Sequence, residues 1–424
     1  MPSLHPEPTA QDAAAGPRLV VVGGGFAGVW AAAAAARLRA RTGAPLTVTL
    51  VSPGPDLVLR PRLYEAQPHK LRLPLARILG PVGVRLAAAT VTGVDTAARR
   101  LTATGRDGAA TAFGYDRLVL ATGSALARPP ALPGADLLHD VDTMDSALAL
   151  DARLRALPAL PAGGGRFTAV VVGSGFTGLE VATELVGRLR ALAAPHGCAE
   201  EVRVVLVERA DVLGPGLGPG PRPVIEAALG ELRVETRLDT CVQEVTSTAA
   251  VLSDGTRIDT RCVVWTGGVR ANALTEQVPA ERDQSGRLVT DAWLRVPSVP
   301  EVYAAGDTAA AALKDGRTTL PSCQHAIPLG KHAGHNAAAD LLGQPRVAFA
   351  PGPYVTCLDL GAAGAVSTTG WERTVRLRGA AAKVQKRLIT ERWIVPPLDH
   401  PAELLRQADH RWRTRREDPL FPAR

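Results

Sequence analysis

One residue type is scarce enough to exclude whole classes of protein. The chain has five cysteines in 424 residues, an odd number with no C-x-x-C pair, which argues against both a secreted disulfide framework and a zinc site. Lysine is equally sparse, five among 48 basic residues, and we read this arginine excess and the alanine runs as compositional bias. Met1 to Pro17 is Pro/Ala-rich and lacks the basic start and apolar core of a signal peptide, so a cytoplasmic location is expected. A long apolar span is also missing. Leu19 to Ala36 runs eighteen residues without a charge, the length of a candidate membrane helix. Three consecutive glycines after a β-branched run make it a strand, a turn and a helix.

What is present is bulk. Length divided by a domain of about 150 residues predicts two or three domains, and a hydrophobic content of 46% supplies their cores. The formal charge is +7, and residues 371–424, with thirteen Lys/Arg against seven Asp/Glu, hold +6 of it. The nearly neutral remainder lacks the basic face of a nucleic-acid reader. This tail also carries Trp371, Trp393 and Trp412, so it reads either as a solvated basic end with packed indoles or as a contact with an anionic membrane surface.

The chemistry is announced by one device used twice. Arg18 to Val22, a strand run, leads into Gly23-Gly24-Gly25-Phe26-Ala27-Gly28 and an alanine-rich helix. Gly23 makes the tight turn, Gly25 admits a pyrophosphate to the backbone, and Gly28 lets helix and strand pack closely. Thr168 to Val172 leads into Gly173-Ser174-Gly175-Phe176-Thr177-Gly178 in the same context, 150 residues later. Two such units imply two bound dinucleotides, each with its phosphates at a helix N-terminus. The second unit's next strand ends at Glu208, an acceptor for a ribose diol that disfavours a 2′-phosphate, so NADH is expected over NADPH; Arg203 and Arg209 leave NADPH open. The first unit's next strand ends at Ser52, and Asp56 is the nearest substitute acid.

Three further segments complete a pattern: Tyr115 to Gly123, ending Ala121-Thr122-Gly123; Cys262 to Gly268, ending Gly267-Gly268; and Val302 to Asp307, ending Gly306-Asp307. In this order the chain resembles the two-dinucleotide-binding flavoproteins of the pyridine-nucleotide:disulfide oxidoreductase superfamily. No cysteine precedes Cys198, so the redox-active pair of the disulfide reductases is absent. Arg60-Pro61-Arg62-Leu63-Tyr64-Glu65 and Gly175 to Glu180 are instead similar to the flavin loop and nicotinamide motif of type II NADH:quinone oxidoreductases.

The resemblance implies an α/β fold of two Rossmann-like domains, with an NAD(P)H domain at 141–287 inserted into an FAD domain at 18–140 and 288–344. A flexible N-terminus at 1–17 and a small α+β region with the basic tail at 345–424 complete the chain. FAD would be held by Gly23, Gly25, Phe26, Ala27, Gly28, Ser52, Arg60, Arg62, Ala121, Thr122, Gly123, Gly306, Asp307 and Gln324. NADH would be held by Gly173, Gly175, Phe176, Thr177, Gly178, Glu180, Glu208, Gly267 and Gly268. Asp307 is also expected to cap a helix beginning at Thr308.

The implied reaction is hydride transfer from NADH to FAD, then transfer of two electrons to a quinone-type acceptor. Glu180 is either the acid beside the nicotinamide or a first-turn residue complementing the helix dipole. Gln324 and His325 are the candidates for orienting or protonating the acceptor, His325 alternatively being a satisfied histidine at a helix start. Pro328 stands where the family has a second glutamine, which weakens the match on the acceptor side. His332 and His335 lack the partners of a metal site, and none is expected. Cys323 and Cys357 could form a thiol-oxidising pair or be packing residues. Two alternatives stay open: a soluble flavoenzyme acting on another small molecule in specialised metabolism, and a low-turnover flavin- and NAD-binding regulatory protein. Peripheral attachment to the inner face of the membrane and assembly as a homodimer are likewise open.

Overall fold

The computed structural model describes residues 16–129 and 131–412. Arg18–Val22 and Arg117–Leu120 are buried along most of their length, so they read as unbroken apolar runs, as strands covered on both faces do. They lie inside an eight-stranded sheet ordered Arg295–Val296, Val299–Ala304, Arg117–Leu120, Arg18–Val22, Thr47–Ser52, Arg85–Asp95, Arg100–Gly105 and Ala110–Gly114. The pairings from Val299–Ala304 through Arg85–Asp95 are parallel. A second, wholly parallel sheet is ordered Val234–Arg237, Arg203–Val207, Thr168–Val172 and Cys262–Trp265. The chain leaves the first sheet and returns through one ribbon, Ser124–Leu126 paired antiparallel with Val269–Ala271.

The helix of the first motif, Phe26–Thr42, is covered by the helix Cys323–Leu341. A Cβ on Gly330 would stand 2.2 Å from the carbonyl oxygen of Ala27, and one on Gly334 would stand 2.0 Å from that of Ala31. The two backbones meet only because both contact faces are Gly and Ala. Ala31 to Ala36, which composition alone marked as bias, is therefore an interface between helices, buried throughout.

The expected C-terminal β-runs form an antiparallel sheet of Val355–Asp359, Ala365–Thr369 and Thr374–Arg378. Beyond it the tail docks on the body. The helix Gly379–Leu388 buries Ala382, Gln385 and Lys386, and Thr390 follows on the same side. The helix Pro401–Gln407 buries Leu404, and Arg37 of the first-motif helix pairs with Asp409. Among the tail's cations up to residue 412, Lys383, Lys386, Arg406 and Arg411 pair with carboxylates of the protein, while Arg413, Arg415, Arg416 and Arg424 lie outside the described residues. Among the described residues no helix is long and apolar enough to cross a membrane, and no His/Cys/Asp/Glu group could hold a metal ion.

His335 sits where this tail docks, its ring 5.1 Å from that of His410. Burial, then His410 and Arg37, lowers its pKa from 6.5 to about 4. Between those values the unfolded chain binds a proton that the folded one refuses, so stability is present above pH 6.5 and is lost as pH falls towards 4. We expect urea midpoints to drop across that window and His335→Gln to flatten the slope; an equal slope in the variant would assign it to other groups.

Candidate functional site

The glycines of the two motifs divide their work in the same way. Gly23 and Gly173 have φ of +115° and +102°, conformations that side chains disfavour. A Cβ on Gly28 or Gly178 would stand 1.8 Å from the carbonyl oxygen of Gly23 or Gly173, so these two serve helix packing and do not line the site. Gly25 and Gly175 differ: φ is −80° and −70°, and a Cβ on either would project into open space. Neither backbone strain nor a protein neighbour demands glycine there. Each leaves a flat cradle at a helix N-terminus, which fits a pyrophosphate.

Both cradles open into one cleft of about 1170 Å³. Its first half is lined by Gly23, Gly25, Phe26, Ala27, Ser52, Asp56, Arg60, Ala121, Thr122, Gly123, Gly306 and Asp307. Asp307 accepts from Ser124 Oγ at 2.7 Å, and Arg60 donates to that hydroxyl at 3.0 Å while contacting Asp142. Asp307 does not cap a helix. It sits in the single turn Gly306–Thr308, and Ala309–Ala311 is a strand paired with Leu288–Thr290, so the expected helix start is replaced by sheet. Arg62 is also displaced from its expected place: Glu65 holds its guanidinium in a two-point pair at 2.8 and 2.7 Å, away from the cleft.

The second half is lined by Gly173, Gly175, Phe176, Thr177, Glu180, Glu208, Arg209, Gly267 and Gly268. Glu208 accepts from Ser174 N at 2.8 Å, Ser174 Oγ at 2.6 Å and Ala210 N at 2.9 Å. Burial would raise its pKa, but these hydrogen bonds outweigh it and hold the carboxyl below the usual range. A fixed anion therefore faces the place a nucleotide ribose would take.

Glu180 stands where the halves meet, buried, with Oε1 2.6 Å from Lys386 Nζ and 3.1 Å from Asp359 N. Burial lifts Glu180 above the ordinary carboxylate range, opposed by the ammonium. Burial would depress Lys386, but the carboxylate beside it raises its pKa instead. Lys386 was not foreseen from sequence; its one available signal was that the rare lysines Lys383 and Lys386 lie three apart on a helix. Lys383 contacts Asp359, so two of the chain's five lysines pair with buried carboxylates, one of which, Glu180, lines the cleft.

The acceptor-side candidates fall elsewhere. Pro321, Ser322, Cys323 and Ala326 line the cleft, so the N-terminus of the helix Cys323–Leu341 does open onto it. Gln324 turns away, its amide donating to Pro353 O at 3.0 Å and accepting from Val355 N at 3.2 Å. His325 is buried, its Nδ1 3.1 Å from Leu320 N, and its ring stacks on Tyr354 and Trp371. Neither lines the cleft. Cys323 is pushed towards its neutral thiol by burial, and Cys357 Sγ lies 3.6 Å from Ala382 O.

The sequence profile of the pyridine nucleotide-disulphide oxidoreductase family matches residues 17–330. An NADH dehydrogenase-like protein of Mycobacterium tuberculosis is 46% identical over 386 residues, 90% of this chain and 95% of that protein. The demethylphylloquinone reductase of Synechocystis is 27% identical over 88% of this chain and 91% of its own length. Among solved structures, NDH2 from Plasmodium falciparum in complex with NADH superposes with a TM-score of 0.75 at 13% identity, covering 89% of this chain and 95% of that one. Two dinucleotide cradles sharing one cleft, together with these likenesses, show that the chain belongs to the pyridine nucleotide-disulphide oxidoreductase family, as an NADH dehydrogenase-like flavin- and NAD(H)-dependent oxidoreductase.

Proposed function

We propose that the chain is an FAD-dependent enzyme that oxidises NADH and reduces a quinone-type small molecule. The observation that carries this reading is the continuity of the cleft from the Gly25 cradle to the Gly175 cradle, with Glu180 at the junction. When bound, the flavin supplies hydride-accepting chemistry. The chain supplies alignment. Gly25 and Gly175 receive the two pyrophosphates, and Asp307, oriented by Ser124, accepts hydrogen bonds from a polyol chain. Glu208 accepts from the nucleotide ribose and repels a 2′-phosphate, which favours NADH. The positive end of the helix Cys323–Leu341 stabilises negative charge forming in front of it. Glu180, lifted by burial and held by Lys386, is a group able to take up or release a proton there.

Anaerobic mixing with NADH should bleach the flavin absorbance, and short-chain quinones should restore it. A protein that stays yellow with both NADH and NADPH would overturn the reading. Gly175→Val should keep its flavin, because the first cradle is untouched, yet lose bleaching by at least about 100-fold as the side chain fills the second cradle.

A second reading of the acceptor is favoured by one observation: Gln324 and His325, which the resemblance placed beside the acceptor, are spent on internal partners. The wall this chain presents there is Pro321, Ser322, Cys323 and Ala326. A smaller or less polar acceptor fits such a wall, and flavin that is bleached by NADH but not restored by quinones would support it.

A further inference from the structure

The Tyr64 hydroxyl stands at the cleft wall and has no hydrogen-bond partner among the described residues. The residue is 6% exposed and lines the cleft beside Glu180. Unlike the hydroxyl of Tyr115, which is sealed in the interior, that of Tyr64 is reached from the cleft. A hydroxyl that faces the cleft and that no protein group engages is free to bond a ligand atom arriving there in place of water.

The surroundings say what kind of atom. Lys386 Nζ lies 5.9 Å from the ring centroid, and Glu180, the nearby carboxylate, already accepts from that ammonium. Burial and the carboxylates of Glu180 and Asp359 keep the phenol protonated, so it offers a donor. The loop backbone that carries the ring is anchored: Arg188 on the second-motif helix donates to the main-chain carbonyl of Tyr64 at 3.2 Å and pairs with Asp151 at 2.6 Å. Tyr64 thus belongs to the wall shared with Glu180 and the nicotinamide-side helix, although it is carried by the flavin-side loop.

We propose that the Tyr64 hydroxyl donates a hydrogen bond to the carboxamide oxygen of the nicotinamide and so fixes the face that the hydride donor presents. This rests on the NADH-oxidising reading above. The test uses the oxidised holoenzyme and Tyr64→Phe, which keeps the ring and removes the donor, with flavin content and spectrum confirming an intact site. Binding of NAD+, followed by perturbation of the flavin spectrum, should weaken about 5- to 10-fold, the worth of one neutral hydrogen bond. ADP-ribose, which lacks the nicotinamide, should bind both forms equally, and the KM for a short-chain quinone should not move. An unchanged NAD+ affinity overturns the proposal, as does an equal loss for ADP-ribose. A rise confined to the quinone KM overturns it too and gives the hydroxyl to the acceptor. Wild-type flavin that NADH fails to bleach would instead remove the underlying reading, which separates the two failures.

Discussion

Gly334→Ala is expected to destabilise the protein by about 3 kcal/mol or more and to release flavin, although it adds a single methyl group. That methyl would stand 2.0 Å from the carbonyl oxygen of Ala31, a backbone atom in the middle of the facing helix. No rotamer relieves such a clash; the two helices must separate, and overpacking of this kind costs roughly 1–3 kcal/mol and sometimes more. The same helix, Cys323–Leu341, opens its N-terminus onto the cleft, so its displacement moves Ser322 and Cys323 there. Gly187→Ala is the control. It lies in the helix Phe176–Ala193 with nothing within 4 Å of its added Cβ, and should stabilise by about 0.5–1 kcal/mol. Thermal unfolding and flavin content measured side by side decide the matter; equal behaviour of the two variants would mean the seam is looser than its geometry implies.

Lys386→Met is expected to have the second large effect. Removing one partner of a buried ion pair costs about 3–5 kcal/mol, because the remaining charge loses its compensation. Glu180, deprived of the ammonium, would take up a proton more readily, so its folded pKa rises further above the unfolded value of 4.5. A carboxyl raised in this way is favourable when protonated, and its stabilisation is lost as pH rises through the folded pKa. The deficit of the variant should therefore be smaller at pH 5 than at pH 8. Adding Glu180→Gln removes the orphaned charge and should recover much of the loss, whereas Glu180→Gln alone should retain flavin and slow its reduction by NADH. A Lys386→Met protein as stable at pH 8 as one carrying Lys70→Met, at a site of exposed residues, would show that the pair does not hold the tail.

The dinucleotide cradles were legible because every requirement of the device is local. A left-handed turn at Gly23, open space beyond Gly25 and a close approach at Gly28 lie within six residues, and the strand and helix flanking them follow from adjacent runs. The same holds for Glu208, which closes the strand after the second motif.

The acceptor side was not legible in that way. Cys323 and Ala326, three apart, face the cleft, while Gln324 and His325, rotated by about 100° and 200° around the helix, face the C-terminal sheet and the aromatic stack. Residue types identify such a segment, but the helix's rotation about its axis selects the residues that meet a ligand, and that rotation is set by the Gly330 and Gly334 seam.

The tail shows the same division more sharply. Its helix shows no clean apolar stripe because its buried face, Ala382, Gln385, Lys386 and Thr390, is largely polar. Charge counting sees Lys386 as one more cation at a basic end. Only the tertiary structure brings it to Glu180, 206 residues earlier in the chain, and makes part of a solvent-like tail the support behind a cleft-lining carboxylate. By itself the sequence determined the fold class and the two nucleotide cradles, since these depend on backbone conformation within a few residues. The structure alone decided which side chains enclose the chemistry between them, because long-range packing sets the orientation of each helix and gives every buried charge its partner.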